Sequence, residues 1–142
     1  MKFIEINNEI TKKNLEFLYE LLKARKHSIS HIEIPSFAEH SSFVENHPYY
    51  KWFIVENQSS LIGSIYIHND NSIGIDMLDQ FEIFIPDVLK FLEQKYKPLP
   101  YIKSVRSKNF FLNLSPQNKK LQDLLISLGY EISQISFEKK SF

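Results

Sequence analysis

The sequence predicts an α/β (α+β) protein, a twisted mixed sheet of about six strands flanked by about four helices. Three observations lead to it. YKWFIVE at 50–56, SLIGSIYIH at 60–68 and SIGIDML at 72–78 are separated only by NQSS and NDNS, the pattern of an antiparallel meander with tight turns. Leu15, Leu18, Tyr19 and Leu22 fall at helical spacing, as do Val88, Leu89, Leu92 and Tyr96. Toward the C-terminus, NFFLNLS at 109–115, a leucine-rich stretch and YEISQISFE at 130–138 read as strand, helix and strand, a crossover that implies parallel pairing.

The elements follow in order. KFIEI at 2–6 alternates as a short strand, and Thr11 can cap the first helix. Residues 27–35 read as loop. Ser36 and Glu39 form a capping-box pattern that opens a second short helix, stopped near His47-Pro48. After the meander, Pro86 stands in the first turn of a third helix, which KPLP at 97–100 ends. Ser115-Pro116 is expected to start the last helix, with Leu121, Leu124, Leu125 and Leu128 inward and Gly129 as its stop.

The length, 142 residues, suits one domain spanning 1–142, and the composition (43% hydrophobic, 14% aromatic) is that of a chain with a real core. Seventeen basic residues balance 17 acidic ones. That balance gives no general attraction to nucleic acid or to an anionic membrane, and it favours self-association, so a homodimer is an expected state. Cysteine is absent, which excludes disulfides, thiolate nucleophiles and thiolate metal sites. MKFIEINNEI does not read as a signal peptide, and no run reaches the length of a membrane span. The expectation is a soluble, cytoplasmic protein.

Five histidines occur, His27, His31, His40, His47 and His68, but their spacing matches no metal motif, and no metal is expected. His31, His40 and His47 either hydrogen-bond within the loop and helix ends or serve as a general base, since imidazole titrates near neutrality. Tyr49, Tyr50 and Trp52 cluster at a strand entry, and alternation puts Tyr50 and Trp52 on one face, where rings could stack on a sugar. Asp76 sits among apolar neighbours in a strand, so its carboxyl either meets solvent or ends in a pocket as a candidate base. Lys119 and Lys120 read as solvated surface.

Three segments carry a family likeness: SISHIEIPSFAEHSSFVENHPYYKWFIVE at 28–56, LIGSIYIHNDNSIGI at 61–75 and LNLSPQNKKLQDLLISLGYE at 112–131. Together with the element order they resemble the GNAT superfamily of N-acetyltransferases. The first segment is similar to a subgroup with an S-H…P…H…F-V…H-P-Y…W pattern, some of whose members act on amino sugars. The third is similar to the family's N-x-x-A-x-x-L-Y-x-x-x-G-F run, matched by Asn118, Leu124, Gly129 and Tyr130.

The resemblance implies acetyl-CoA as donor and a small amine or amino sugar as acceptor. His47, Tyr50 and Trp52 fall on the substrate side, with His31, His40 and Asp76 as candidate proton acceptors. It places the donor along the fourth strand at Met77 and Leu78, with Asn113 and Asn118 flanking the pantetheine arm. It also lays the family's diphosphate loop, R/Q-x-x-G-x-G/A, on Glu82, Ile83, Phe84, Ile85, Pro86 and Asp87.

Those residues are ill suited to hold an anion. β-Branched Ile83 and Ile85 resist the left-handed backbone of a glycine loop, and Pro86 has no N–H to donate. Glu82 and Asp87 would meet the diphosphate with like charge. No glycine lies between Ile75 and Leu128, so no shift of alignment restores the loop. The family's acidic tyrosine falls on Leu125 and its alanine on Leu121. The resemblance therefore implies an acetyltransferase-like protein with a degenerate donor site, using acetyl-CoA if it is active and no cofactor otherwise. The alternative is a non-catalytic module that binds a partner protein or small ligand, with Ile83, Phe84 and Ile85 filling the old groove.

Overall fold

A computed structural model describes residues 1–25 and 33–141. It has a four-stranded sheet in the order β1 (Lys2–Glu5), β2 (Lys51–Asn57), β3 (Ser60–Ile67), β4 (Ile73–Met77), with every neighbour antiparallel. Two helices, α1 (Lys12–Lys23) and α2 (Phe37–Glu45), lie between β1 and β2, and α3 (Ile85–Lys95) and α4 (Lys119–Ser127) follow β4. The expected caps are present. Thr11 Oγ1 accepts from Asn14 N at 3.2 Å, and Ser36 Oγ from Glu39 N at 3.2 Å.

β2 is buried at four consecutive positions because both faces of the sheet are covered. Trp52 and Ile54 point one way, onto Leu15, Leu18 and Val44 of α1 and α2. Phe53 and Val55 point the other way with Ile65, Ile67 and Ile73, onto Val88, Leu89 and Leu92 of α3. Each such side chain contributes about 1.5–3 kcal/mol when fully buried, which makes the sheet the rigid floor of the molecule. NQSS turns as expected, with Gln58 and Ser59 both at positive φ (49° and 66°), the geometry of a two-residue hairpin.

The sequence-based expectation is corrected at four points. The sheet has four strands and not about six, because neither 109–115 nor 130–138 forms a strand. Among the described residues, parallel pairing is limited to one bridge, Ser72 to Phe111, after which the chain leaves the sheet. Residues 131–141 likewise pair with no strand, and Ile132, Ile135 and Phe137 stay exposed. The last helix starts at Lys119, since Asn118 is its cap (Leu121 N to Asn118 Oδ1, 3.3 Å) while Ser115-Pro116 forms the preceding turn. Finally, Tyr50 and Trp52 do not share a face. Tyr50 lies in a bend before β2 and sits edge-on to Tyr96 at 6.5 Å, whereas Trp52 faces α1 and α2.

Candidate functional site

The departure of the chain at Phe111 opens the edge of β4. Ile73 N donates to Phe111 O at 2.7 Å, and no further backbone bond joins β4 to this segment among the described residues. His68 N bonds to Ser72 O and Leu78 N to Ile62 O, so the even-numbered residues of β4 pair with β3. Alternation then turns the N–H groups of Ile75 and Met77 to the open edge.

A cleft of about 1450 Å³ runs along that edge. Tyr49, Trp52 and Tyr66 line one end, Asp76 and Met77 the middle, and Asn118 and Lys120 of α4 the other end. Among the described residues five carboxylates line it (Glu33, Glu39, Asp76, Asp79 and Glu82) against two cations (Arg25 and Lys120), a balance that attracts a cation.

The aromatic end is rigidly built. Trp52 Nε1 donates to the buried Ser64 Oγ at 2.6 Å. Tyr49 and Tyr66 stack with centroids 3.9 Å apart and planes within 4°. Burial, reinforced by Tyr66, pushes the Tyr49 phenol well above its ordinary pKa, so it stays neutral. Gly74, directly opposite Tyr66 on β4, leaves the space this ring occupies, and a Cβ there would overlap the ring. Gly74→Ala is therefore expected to lower stability by about 1–3 kcal/mol and to displace Tyr66 from Tyr49. A lower melting temperature with an altered near-ultraviolet dichroism signal checks this; an unchanged aromatic signal would contradict it.

In the middle of the cleft, Asp76 Oδ2 accepts from Arg25 Nε at 3.1 Å. Burial raises the Asp76 pKa, and the Arg25 guanidinium opposes that rise without cancelling it. A carboxylate with an elevated pKa beside open strand amides is equipped to hold an ammonium group or accept its proton.

The turn after β4 is a 3-10 helix, Asp79–Phe84, running directly into α3. Its donors are used internally: Phe81 N bonds to Leu78 O at 2.8 Å, and the Ile85 N–H to Glu82 O. Glu82 reaches across to α4 and pairs with Lys120 at 2.8 Å. Lys120, read from sequence as solvated surface, thus takes part in the cleft while remaining mostly exposed. Ile83 points to solvent, and Ile85 belongs to the core beneath α3. Neither Ile83, Phe84 nor Ile85 plugs the cleft, which stays open.

Of the residues singled out in the sequence, the cleft brings together His40, Trp52, Asp76, Met77, Glu82, Ile83, Ile85 and Asn118. Leu78, Phe84, Asp87 and Asn113 are absent from its lining. So is Tyr50, and so is His47, whose Nδ1 accepts from Tyr49 N at 3.2 Å while its ring meets Trp52 edge-on at 5.2 Å. His27 and His31 lie outside the described residues. Arg25, Ser64 and Tyr66 were not singled out, and Lys120 was read only as surface. Arg25 lies 51 positions from Asp76, a separation that no local pattern spans. No group of three or more His, Asp or Glu among the described residues is placed to hold a metal ion. None of their helices is long and apolar enough to cross a membrane.

The fold has counterparts among solved structures. AAC(6')-Iy, in complex with the bisubstrate analog CoA-S-monomethyl-acetylneamine, is 17% identical over 99% of this chain and 98% of its own, with a TM-score of 0.59. A possible acetyltransferase from Clostridium difficile 630 is 10% identical over 99% and 97%, at 0.60. The fold is GNAT-like. A domain from Methanocaldococcus jannaschii DSM 2661 shares it, at 20% identity over 96% and 93% and a TM-score of 0.64. No family model and no curated protein matches the sequence. Identities this low establish the architecture alone.

Proposed function

We propose that residues 1–142 form one GNAT-like acetyltransferase domain that recognises a small amine or amino sugar, and that its donor half no longer holds acetyl-CoA by the diphosphate. The observation that carries the amine reading is Asp76, a partly buried carboxylate in an aromatic-walled, predominantly acidic cleft. The exposed edges of Trp52 and Tyr66 would form the apolar wall against which the body of the ligand packs. That one solved counterpart is bound to a CoA-linked neamine derivative supports an amine as the class of ligand.

The donor end fits poorly. A diphosphate needs inward backbone donors, and here Phe81 and Ile85 spend theirs within the 3-10 turn while Pro86 has none. Glu82 adds negative charge and already occupies the nearby Lys120. Leu125, at the position the likeness gives to a tyrosine acid, is buried and has no proton to give.

A second reading, residual acetyl transfer with the donor laid along β4, is favoured by the outward N–H groups of Ile75 and Met77. They are single donors aimed at the open edge, roughly 7 Å apart along the strand, so one of them could meet a developing oxyanion. In that reading Asp76 or His40 takes the amine proton, with the donor held weakly. Titration calorimetry with glucosamine tests the amine reading. Saturable heat is expected, and no heat up to tens of millimolar would overturn it.

A further inference from the structure

We propose that Arg25 and Asp76 together form a recognition site for a zwitterionic ligand, a small molecule carrying an ammonium group and, near it, a carboxylate or phosphate. The inference deepens the amine reading and rests on it. Arg25 follows directly on α1, its backbone N–H donating to Leu22 O at 3.3 Å, and its side chain reaches over the cleft to β4. The contact with Asp76 uses one edge of the guanidinium, Nε to Oδ2 at 3.1 Å. Among the described residues, Nη1, Nη2 and the second carboxylate oxygen Oδ1 have no hydrogen-bond partner.

A guanidinium has a second, end-on edge made by its two Nη atoms, which matches the oxygen fork of a carboxylate or phosphate. Among the described residues, no group occupies that edge. Both side chains are half-sheltered, with 31% and 24% of their surface exposed, so a ligand meets them with much of the water already removed.

The alternative chemistry is less consistent with this geometry. A site for a simple amine gains nothing from a guanidinium beside its carboxylate, because the positive charge neutralises the group that should attract the ligand. Arg25 and Lys120 are the two cations among the described lining residues, and Lys120 is engaged by Glu82. An ammonium on Oδ1 and an anionic fork on Nη1 and Nη2 would satisfy both partners without separating them.

The test is a calorimetric series on the full chain with glucosamine, glucosamine 6-phosphate, L-alanine and N-acetylglucosamine 6-phosphate. A charge-assisted bidentate contact is expected to make at least one of the two zwitterions (phosphate or carboxylate) about tenfold or more tighter than glucosamine. Which zwitterion gains identifies the anion and its spacing. N-acetylglucosamine 6-phosphate, with an anion and no amine, should bind no better than glucosamine. Arg25→Gln is expected to bring the zwitterion down to the affinity of glucosamine, and Arg25→Lys, which keeps the charge but not the fork, to recover only part of it.

Equal affinities across the series, or tighter glucosamine binding by Arg25→Gln, would overturn the zwitterion site while leaving the amine reading intact. The second of these results would mark Arg25 as a competitor of the amine. Failure of all three amines to bind would overturn both.

Discussion

Asn71→Ala is expected to destabilise the protein by about 3–5 kcal/mol, more than any surface change, because Asn71 is a fully buried polar side chain with each of its groups engaged. Its Nδ2 donates to Leu99 O and to Ser107 O, both at 2.9 Å, and its Oδ1 accepts from Leu99 N at 2.8 Å. Its backbone takes a left-handed conformation, φ 74°, which asparagine tolerates better than alanine does. The substitution would leave several polar groups without partners and strain the turn as well. Asn71 O also accepts from Phe111 N at 3.3 Å, beside the single parallel bridge at which the cleft begins to open. Chemical denaturation should show the loss, and Asn71→Asp should be no better, since it turns two donor contacts into a carboxylate facing two carbonyls. A loss below about 1 kcal/mol would mean that residues 97–111 are not held through this side chain.

Asp76→Asn should separate binding from stability. Loss of the charge that faces the ligand ammonium is expected to weaken amine binding by about 2 kcal/mol or more, roughly thirtyfold. Stability at neutral pH should hold or rise slightly. The native pKa of Asp76 lies above its ordinary 3.8, so between those values the folded chain binds more protons than the unfolded one. The stability linked to this group is complete below 3.8 and is lost as pH rises through the native pKa, leaving the cost of burying the charge in full at neutral pH. Asparagine removes that cost, and Arg25, about a third exposed, rehydrates. The variant should therefore lack this component of the stability–pH slope. A protein that keeps amine affinity but melts lower would show Asp76 to be structural.

Much of this architecture was legible locally. Thr11, Ser36 and Gly129 mark helix ends through chemistry confined to one turn, and NQSS and NDNS mark hairpins in the same way. The last third of the chain misled for a physical reason. NFFLNLS and YEISQISFE have strand-like composition, but composition does not fix a partner, and among the described residues the first pairs only at Phe111 before the chain leaves an edge of β4 that stays open. The candidate site was half legible. Trp52, His40, Asp76 and Asn118 were singled out as chemistry-bearing residues and do line the cleft. Arg25 and Tyr66 became visible only once α1 and β3 were brought beside β4, because their significance lies in partners distant along the chain. Tyr50 shows the complementary limit: a bend before β2 breaks the alternation that would have aimed it with Trp52.

The turn after β4 is closed by 3-10 hydrogen bonds and by the Glu82–Lys120 pair, and the proposed loss of diphosphate binding rests on it. Thermal unfolding in the presence of acetyl-CoA tests it most directly, since a ligand at a hundred times its Kd adds about 2.7 kcal/mol to stability. The expected result is an unmoved melting temperature up to millimolar acetyl-CoA. A saturating rise with a Kd in the low micromolar range, lost on removal of the nucleotide diphosphate, would contradict the account.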